Sequence, residues 1–321
     1  MAAEPPPPGG PADGPPGGRP RLVIVTGPTG SGKSALAAAV ASRLGGAVIN
    51  ADSLAFYRGL DIGTAKPRED ETRLAPHHLF DILEPDQPFD AAAYAALARP
   101  LAARLWESGS PPVACGGTGL YLRTLVKGVF SGPPRSDALR EAFRRMERDG
   151  IRLHAVLEGL DPATAARIRP RDRVRVERAL EVLFQAGEGI SALQGRHGLS
   201  DRPFETLPFV MDVPAGELDR RLRERTERMF AQGLVEETRA LLDRGYSPAL
   251  KPLMSIGYRE TVSYLRGEIT LDRAREEVYL NTRRLAKRQR TWFRGQLPEG
   301  RLVPPDPELV FREARAFLWG R

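Results

Sequence analysis

The chain has 321 residues, enough for one large or two ordinary domains with a real core. Hydrophobic residues make up 41% of it without any run near eighteen consecutive apolar positions, which excludes a membrane-spanning helix. The single cysteine, Cys115, excludes an internal disulfide framework and a multi-cysteine zinc site, and the net charge of +7 favours a polyanionic partner.

In chain order, residues 1–20 (MAAEPPPPGGPADGPPGGRP) are nearly all Pro, Gly and Ala and have nothing to bury, so a disordered tail is expected. Folding starts at RLVIVTG (21–27), a continuous apolar run of the kind that buries as a parallel strand. It leads into GPTGSGKS (27–34) and then SALAAAVASRLG, which has the composition of a helix and ends at Gly45 and Gly46. AVIN (47–50) is a short second strand that delivers Asp52 and Ser53 at its carboxyl end, the edge where open α/β sheets place ligands. FDAAAYAALARPLAARLWESG (89–109) has helical periodicity, with Pro100 at a kink or in a first turn. PPVACGG (111–117) gives a third strand, followed by Thr118. The pattern then turns helical and arginine-rich and reaches a glycine-rich patch at 186–203. LPFVMDV (207–213) returns as a strand. The expected organisation is therefore an α/β domain, 21–132 and 206–321, with a helical insertion at 133–205. From Glu217 the chain reads as helices punctuated by Gly233, Gly245 and Gly257, closing with a strand at RLVPP (301–305).

Gly27-x4-Gly32-Lys33-Ser34 is a complete Walker-type phosphate loop in the strand-to-helix context it requires. Its glycines let backbone N–H groups converge on phosphate oxygens, Lys33 sets a point charge against them, and Ser34 offers a hydroxyl to Mg²⁺. The motif leaves open whether the phosphates belong to a nucleotide that is hydrolysed, to one that passes on a phosphoryl group, or to something that is not a nucleotide. A motor or switch is disfavoured, because the third strand ends in Cys-Gly-Gly-Thr and no base-recognition motif is present. Asp52 is either a general base beside the phosphates or a helix N-cap or loop salt-bridge residue, and Asp61 reads as a turn residue. Arg221 and Arg225, four apart, share a helix face. Either one of them offsets charge on a leaving group, or both are solvated beside Glu224 and Glu227. Trp292 and Phe293 sit among arginines, where they stack on bases or belong to the core. Two basic stretches fit a nucleic-acid footprint: 281–294 carries six basic residues and no acid, and 167–178 carries six arginines against two acids. His77, His78, His154 and His197 lack metal-ligand spacing, so no zinc is expected.

Taken together, GPTGSGKS, DSLAFYRGLDIGTAKP (52–67), PHHLFDILEP (76–85), GGTGLYL (116–122), SIGYRE (255–260) and TRRLAKRQRTWFR (282–294) resemble the tRNA dimethylallyltransferases, in order, from about residue 21 to 295. The resemblance implies a P-loop NTPase-like parallel sheet with an inserted helical domain. It also implies transfer of the dimethylallyl group from its diphosphate to N6 of adenosine 37, 3′ of the anticodon. The implied donor site is Gly27, Pro28, Thr29, Gly30, Ser31, Gly32, Lys33 and Ser34, with Mg²⁺ on Ser34 as cofactor and Asp52, Arg225 and Lys33 as catalytic residues. The implied contacts to the tRNA anticodon stem-loop are Asp52, Ser53, Leu54 and Ala55; Thr118; Arg140; Val174, Arg175, Val176, Glu177 and Arg178; and Lys287, Arg288, Gln289, Arg290, Thr291, Trp292, Phe293 and Arg294. A cytoplasmic monomer of the shorter bacterial form, without a membrane partner, is expected. Two positions depart from the family pattern: Ala55 stands where Gln is common, and Gly30 where Ala is common, the latter expected to be harmless. The competing readings are a small-molecule kinase of the P-loop class, a prenyltransferase acting on free adenine nucleotides, and a non-catalytic RNA-binding module.

Overall fold

The computed structural model describes residues 18–128, 132–197, 202–297 and 299–320. The disorder expected of the tail falls, over residues 1–17, outside the described residues. The chain forms two compact units, Met1–Val126 with Pro203–Arg321 and Lys127–Arg202.

The first unit opens with β1 (Arg21–Thr26), α1 (Lys33–Leu44), β2 (Ala47–Asn50), α2 (Glu69–Leu74), β3 (His77–His78), α3 (Ala91–Glu107), β4 (Pro112–Gly116) and α4 (Gly119–Lys127). The second unit holds α5 (Asp137–Arg148), α6 (Leu153–Leu160), α7 (Pro162–Ala165), α8 (Arg173–Ala186) and α9 (Ile190–His197). The first unit then resumes with β5 (Glu205–Met211), α10 (Ala215–Ala231), α11 (Leu234–Asp243), α12 (Tyr258–Leu265), α13 (Leu271–Gln296), β6 (Arg301–Val303) and α14 (Pro307–Trp319).

The six strands form one sheet in the order β3-β2-β4-β1-β5-β6, and every pairing is parallel. The apolar run of β1 sits at the middle because both of its faces are covered. Val23 and Val25 point to one core with Leu36 and Val40 of α1 and Val310 and Leu318 of α14. Leu22 and Ile24 point to the other, with Tyr94 and Ala98 of α3, Leu122 of α4 and Phe293 of α13. This is the two-residue period of a strand sorted between two helical layers. A third cluster, including Leu60, Phe230, Leu234, Leu253 and Tyr258, joins α10, α11 and α12 to the loop after β2.

The second unit has its own core of Phe143, Leu157, Val176 and Leu180. Beneath it Glu181, fully buried, accepts hydrogen bonds from Arg140 (Nε 2.7 Å, Nη2 3.2 Å), from Arg178 (3.4 Å) and from the Ser136 N–H (3.2 Å).

Four elements differ from the sequence reading. Pro100 lies within α3 and so outside its first turn; it and Ala96, whose carbonyl loses a partner there, are both on the exposed face. The two-residue β3 pairs with Val48 and Ile49, an edge too short to show a period. Within the glycine-rich patch α9 runs from Ile190 to His197, and α14 follows the last strand with Asp306 as its cap (Glu308 N–H 2.9 Å, Leu309 N–H 3.2 Å).

Candidate active site

β2, β4 and β1 are neighbours and parallel, so their carboxyl ends share one edge of the sheet. The phosphate loop leaves β1 there, Asp52 follows β2, and Gly116, Gly117 and Thr118 follow β4. α10 adds Arg225, and the loop after β2 adds Thr64, Ala65 and Lys66. Thr29, Lys33 and Ser34 of the loop, with Asp52, Gly116, Arg225 and residues 64–66, border a cleft of about 540 Å³, its solvent mouth included, with an apolar side of Val48, Ala55 and Phe80.

In the phosphate loop, Gly32 caps α1 in the left-handed conformation, and the Ser31 N–H donates to the Pro28 carbonyl at 3.3 Å. Lys33 Nζ donates to the same carbonyl at 3.4 Å. Ser31 Oγ is buried and, among the described residues, has no hydrogen-bond partner. Gly30 has φ 79°, a conformation that suits glycine, with the Leu222 Cδ2 2.6 Å from where a Cβ would stand. The Thr29 N–H donates to Gln289 Oε1 (2.8 Å), whose Nε2 donates to the Gly117 carbonyl (2.9 Å). The Thr29 backbone donor is thus engaged within the protein while the residue lines the cleft, and the Gln289 amide is a strut between two loops.

Asp52 is held from both sides. Its N–H donates to Asn50 Oδ1 (2.8 Å), and its Oδ1 accepts from the Leu54 N–H (3.1 Å). Asn50 Nδ2 donates onward to the Leu79 and Asp52 carbonyls (3.0 and 3.2 Å). One carboxylate oxygen therefore closes a turn; among the described residues no hydrogen bond engages the other. The bond to the Leu54 N–H is neither the helix cap nor the salt bridge expected as the alternative to a base. Thr118 Oγ1 accepts from the Ser53 N–H (3.0 Å), tying the β2 and β4 ends together.

Arg225 Nη2 donates to the Thr64 carbonyl (3.3 Å), and its half-buried guanidinium pairs with neither Glu224 nor Glu227, so the solvated alternative falls away. Arg221 pairs with Glu217 (2.5 Å) and donates to the Ser31 carbonyl (3.4 Å), while Glu224 is held by Arg220 (3.2 Å). Burial lowers the pKa of Lys33, an effect opposed by Cys115 and Asp52 and reinforced by Arg225. It also lowers that of Arg225, opposed by Asp52. Two cations and one carboxylate thus line a partly desolvated cleft without an ion pair between them, an arrangement that a bound polyanion stabilises. Lys66 is not a third: it is fastened to the Tyr57 carbonyl (2.7 Å), to Asp61 (2.6 Å) and to Asp81. Asp61 is the turn residue expected of it.

The remaining residues expected at RNA sort by exposure. On α8, Val174 is 72% exposed and Arg175 is exposed, its guanidinium 3.4 Å from Asp172. Val176 (1% exposed) and Glu177, paired with Arg173 (2.8 Å), turn into the unit's core. Arg140 and Arg178 are engaged with Glu181. On α13, Lys287, Arg288, Thr291 and Arg294 are exposed, and Arg290 lies 3.6 Å from Asp212. Trp292 is half-buried edge-on to Phe293, with ring centroids 5.2 Å apart, and Phe293 is 1% exposed. The helical period thus moves Val176, Glu177 and Phe293 from expected contacts to packing, and Phe293 is core.

Asn50, Gln289 and Glu237 were missed as parts of the site's frame. Asn50 carried a signal, a polar residue ending a wholly apolar strand; Gln289 and Glu237 lie far along the chain from the loops they hold.

A parallel sheet whose first strand runs into a phosphate loop, with an acid and two cations at the same edge, defines a P-loop protein built around a phosphorylated ligand. Two family models match the sequence, "IPP transferase" over residues 55–296 and "Isopentenyl transferase" over residues 20–76. The chain belongs to the IPP transferase family. It is 47% identical over 280 residues to the tRNA dimethylallyltransferase of Geobacter sulfurreducens, covering 87% of this chain and 90% of that one. With the tRNA dimethylallyltransferase of Anaeromyxobacter dehalogenans it shares 47% identity over 295 residues, 91% of this chain and 98% of the relative. The crystal structure of the full-length tRNA isopentenylpyrophosphate transferase of Bacillus halodurans superposes with TM-score 0.69 at 34% identity, over 94% of this chain and 96% of the other. A eukaryotic dimethylallyltransferase acting on tRNA shares the fold, with TM-score 0.81 at 23% identity over 95% and 80% of the two chains.

Proposed function

We propose that this protein transfers the dimethylallyl group of dimethylallyl diphosphate to N6 of adenosine 37, 3′ of the anticodon of tRNA, and releases diphosphate. The observation that carries the reading is that half-buried Lys33 and Arg225 and the carboxylate of Asp52 line one cleft at the mouth of a phosphate loop. A donor diphosphate completes that charge set, and the apolar side of the cleft suits a five-carbon chain.

In the transfer the bond from the allylic carbon to the diphosphate oxygen breaks, and its electron pair leaves with the diphosphate. N6 bonds to that carbon and loses a proton, which the outer oxygen of Asp52 accepts. Lys33, Arg225 and the loop N–H groups offset the charge growing on the leaving group. The donor set also fits a divalent cation. Ser34 offers a hydroxyl on the cleft wall, and among the described residues no cluster of three His, Cys, Asp or Glu forms a cage. Such a site suits a small hard ion that keeps its waters and takes phosphate oxygens, proposed as Mg²⁺. When bound, it supplies further charge neutralisation to the leaving diphosphate.

For the tRNA, the exposed Lys287, Arg288 and Arg294 of α13 and the arginines of α8 supply phosphate contacts. Ser53 and Thr118 stand beside Asp52 for the target base, which has to leave its stack to be alkylated. With Ala55 in place of the common Gln, any hydrogen bond that the Gln makes to the base comes here from another group. No helix of the described residues is long and apolar enough to cross a membrane.

The test incubates purified protein with unmodified tRNA transcript, Mg²⁺ and labelled dimethylallyl diphosphate, with ATP and AMP in parallel. Label on the tRNA adenosine without ATP is the expected result. Label on AMP alone, or ATP consumption without prenyl transfer, overturns the reading.

A further inference from the structure

The wall of the cleft opposite the phosphate loop is a turn, residues 61–65, whose shape is set from behind by one carboxylate. Glu237, half-buried near the start of α11, accepts the N–H groups of three successive residues: Asp61 (3.0 Å) and Ile62 (2.8 Å) on Oε2, and Gly63 (3.1 Å) on Oε1. Tyr258, the first residue of α12, donates its hydroxyl to the same Oε1 at 2.5 Å. Successive N–H groups turned to one side make a concave anion site, and here the protein fills it with its own side chain. Because all four partners are donors, the arrangement calls for an ionised carboxylate, which accepts on both oxygens. Gly63 is held flat against Tyr258; a Cβ there would stand 2.3 Å from the ring. Further along the same turn, Thr64 accepts Arg225 Nη2 on its carbonyl (3.3 Å) and donates its own hydroxyl to the Leu60 carbonyl (2.6 Å).

We propose that Glu237, braced by Tyr258, is a positioning residue for Arg225: it fixes the turn whose Thr64 carbonyl aims the guanidinium into the cleft. This rests on the reading of Arg225 as the cation that stabilises the leaving diphosphate. Arg225 has a long, flexible side chain and no acidic partner in a salt bridge among the described residues. A carbonyl at a fixed place is what selects its orientation, and the carbonyl is only as fixed as its turn. Glu237 touches no reacting atom, so its effect falls on the rate of transfer and not on tRNA capture.

The experiment compares Glu237→Gln, Arg225→Ala and the double variant in full-length protein, reading kcat, KM for dimethylallyl diphosphate, tRNA affinity and melting temperature. Glu237→Gln keeps size but turns an N–H₂ toward donors. The expected result is a fall in kcat of roughly 10- to 100-fold, of the size that misplacement of a catalytic group produces, with tRNA affinity within twofold. In the Arg225→Ala background the same change is expected to alter kcat less than about twofold, since the group being aimed is gone. Tyr258→Phe, which removes one hydroxyl and keeps the ring against Gly63, is expected to give a smaller loss of the same kind, and it carries the test if Glu237→Gln does not fold. Unchanged kcat in Glu237→Gln, or an equal fall with and without Arg225, overturns the proposal while leaving the role of Arg225 intact. A normal kcat for Arg225→Ala alone identifies the arginine's role as the part that failed.

Discussion

Asp52 spends one carboxylate oxygen on the Leu54 N–H, and this shapes what its replacement does. Asp52→Asn keeps an oxygen for that bond and loses the proton acceptor, so the turn persists while the chemistry fails. A fall in single-turnover transfer of roughly 10²-fold or more is expected, in the range of general-base contributions, with tRNA binding retained in a filter or polarisation assay. Near-normal turnover removes Asp52 from the role. At this scale GPTGSGKS is legible because its residues are contiguous, whereas the bond of the Thr29 N–H to Gln289, 260 positions later, is a pairing that no local pattern contains.

At the scale of elements, the strand-loop-helix at 21–44 and the strands ending at Asn50 and Gly116 were legible, since continuous apolar runs bounded by glycines leave few alternatives. β3 was not, being two residues long, nor was the direction in which each arginine of α8 and α5 turns. The resemblance implies Arg140 as a tRNA contact; in the fold it pairs with buried Glu181. Burial alone would raise the Glu181 pKa, and its bonds to Arg140, Ser136 and Arg178 outweigh that, so the carboxyl lies below its ordinary value of 4.5. A depressed folded-state pKa contributes stability that is present above the unfolded value and lost as pH falls through the folded one. Glu181→Ala strands two arginines against a buried gap and is expected to cost about 3 kcal/mol at neutral pH. In denaturant titrations of the full chain that difference is expected to shrink as pH falls below about 4.5, the ordinary glutamate value, and through the lower folded pKa. A pH-independent difference would assign the loss to packing.

For the whole molecule, the excess of +7 is spread over surfaces that face water in each unit, notably the exposed cations of α8 and α13. If those cations hold the tRNA backbone, log affinity falls linearly with log salt, and a footprint of six or more phosphates loses roughly 10³-fold between 50 and 200 mM. Filter binding across a salt series measures the slope, and a flat series contradicts a backbone-held complex. Removing Lys287 and Arg288 together is expected to reduce that slope by about two. The donor cleft also bears on how long such a molecule keeps working. Its wall includes Cys115, whose thiol is pushed up to about 12 by burial, against the pull of Lys33. A thiolate is a far stronger nucleophile than an adenine amine, and an allylic cation released beside one would alkylate the catalyst. Held as a neutral thiol, Cys115 is a quiet neighbour. If the cleft holds the allylic diphosphate proposed for it, the burial that keeps Cys115 neutral also keeps it from competing for the allylic carbon.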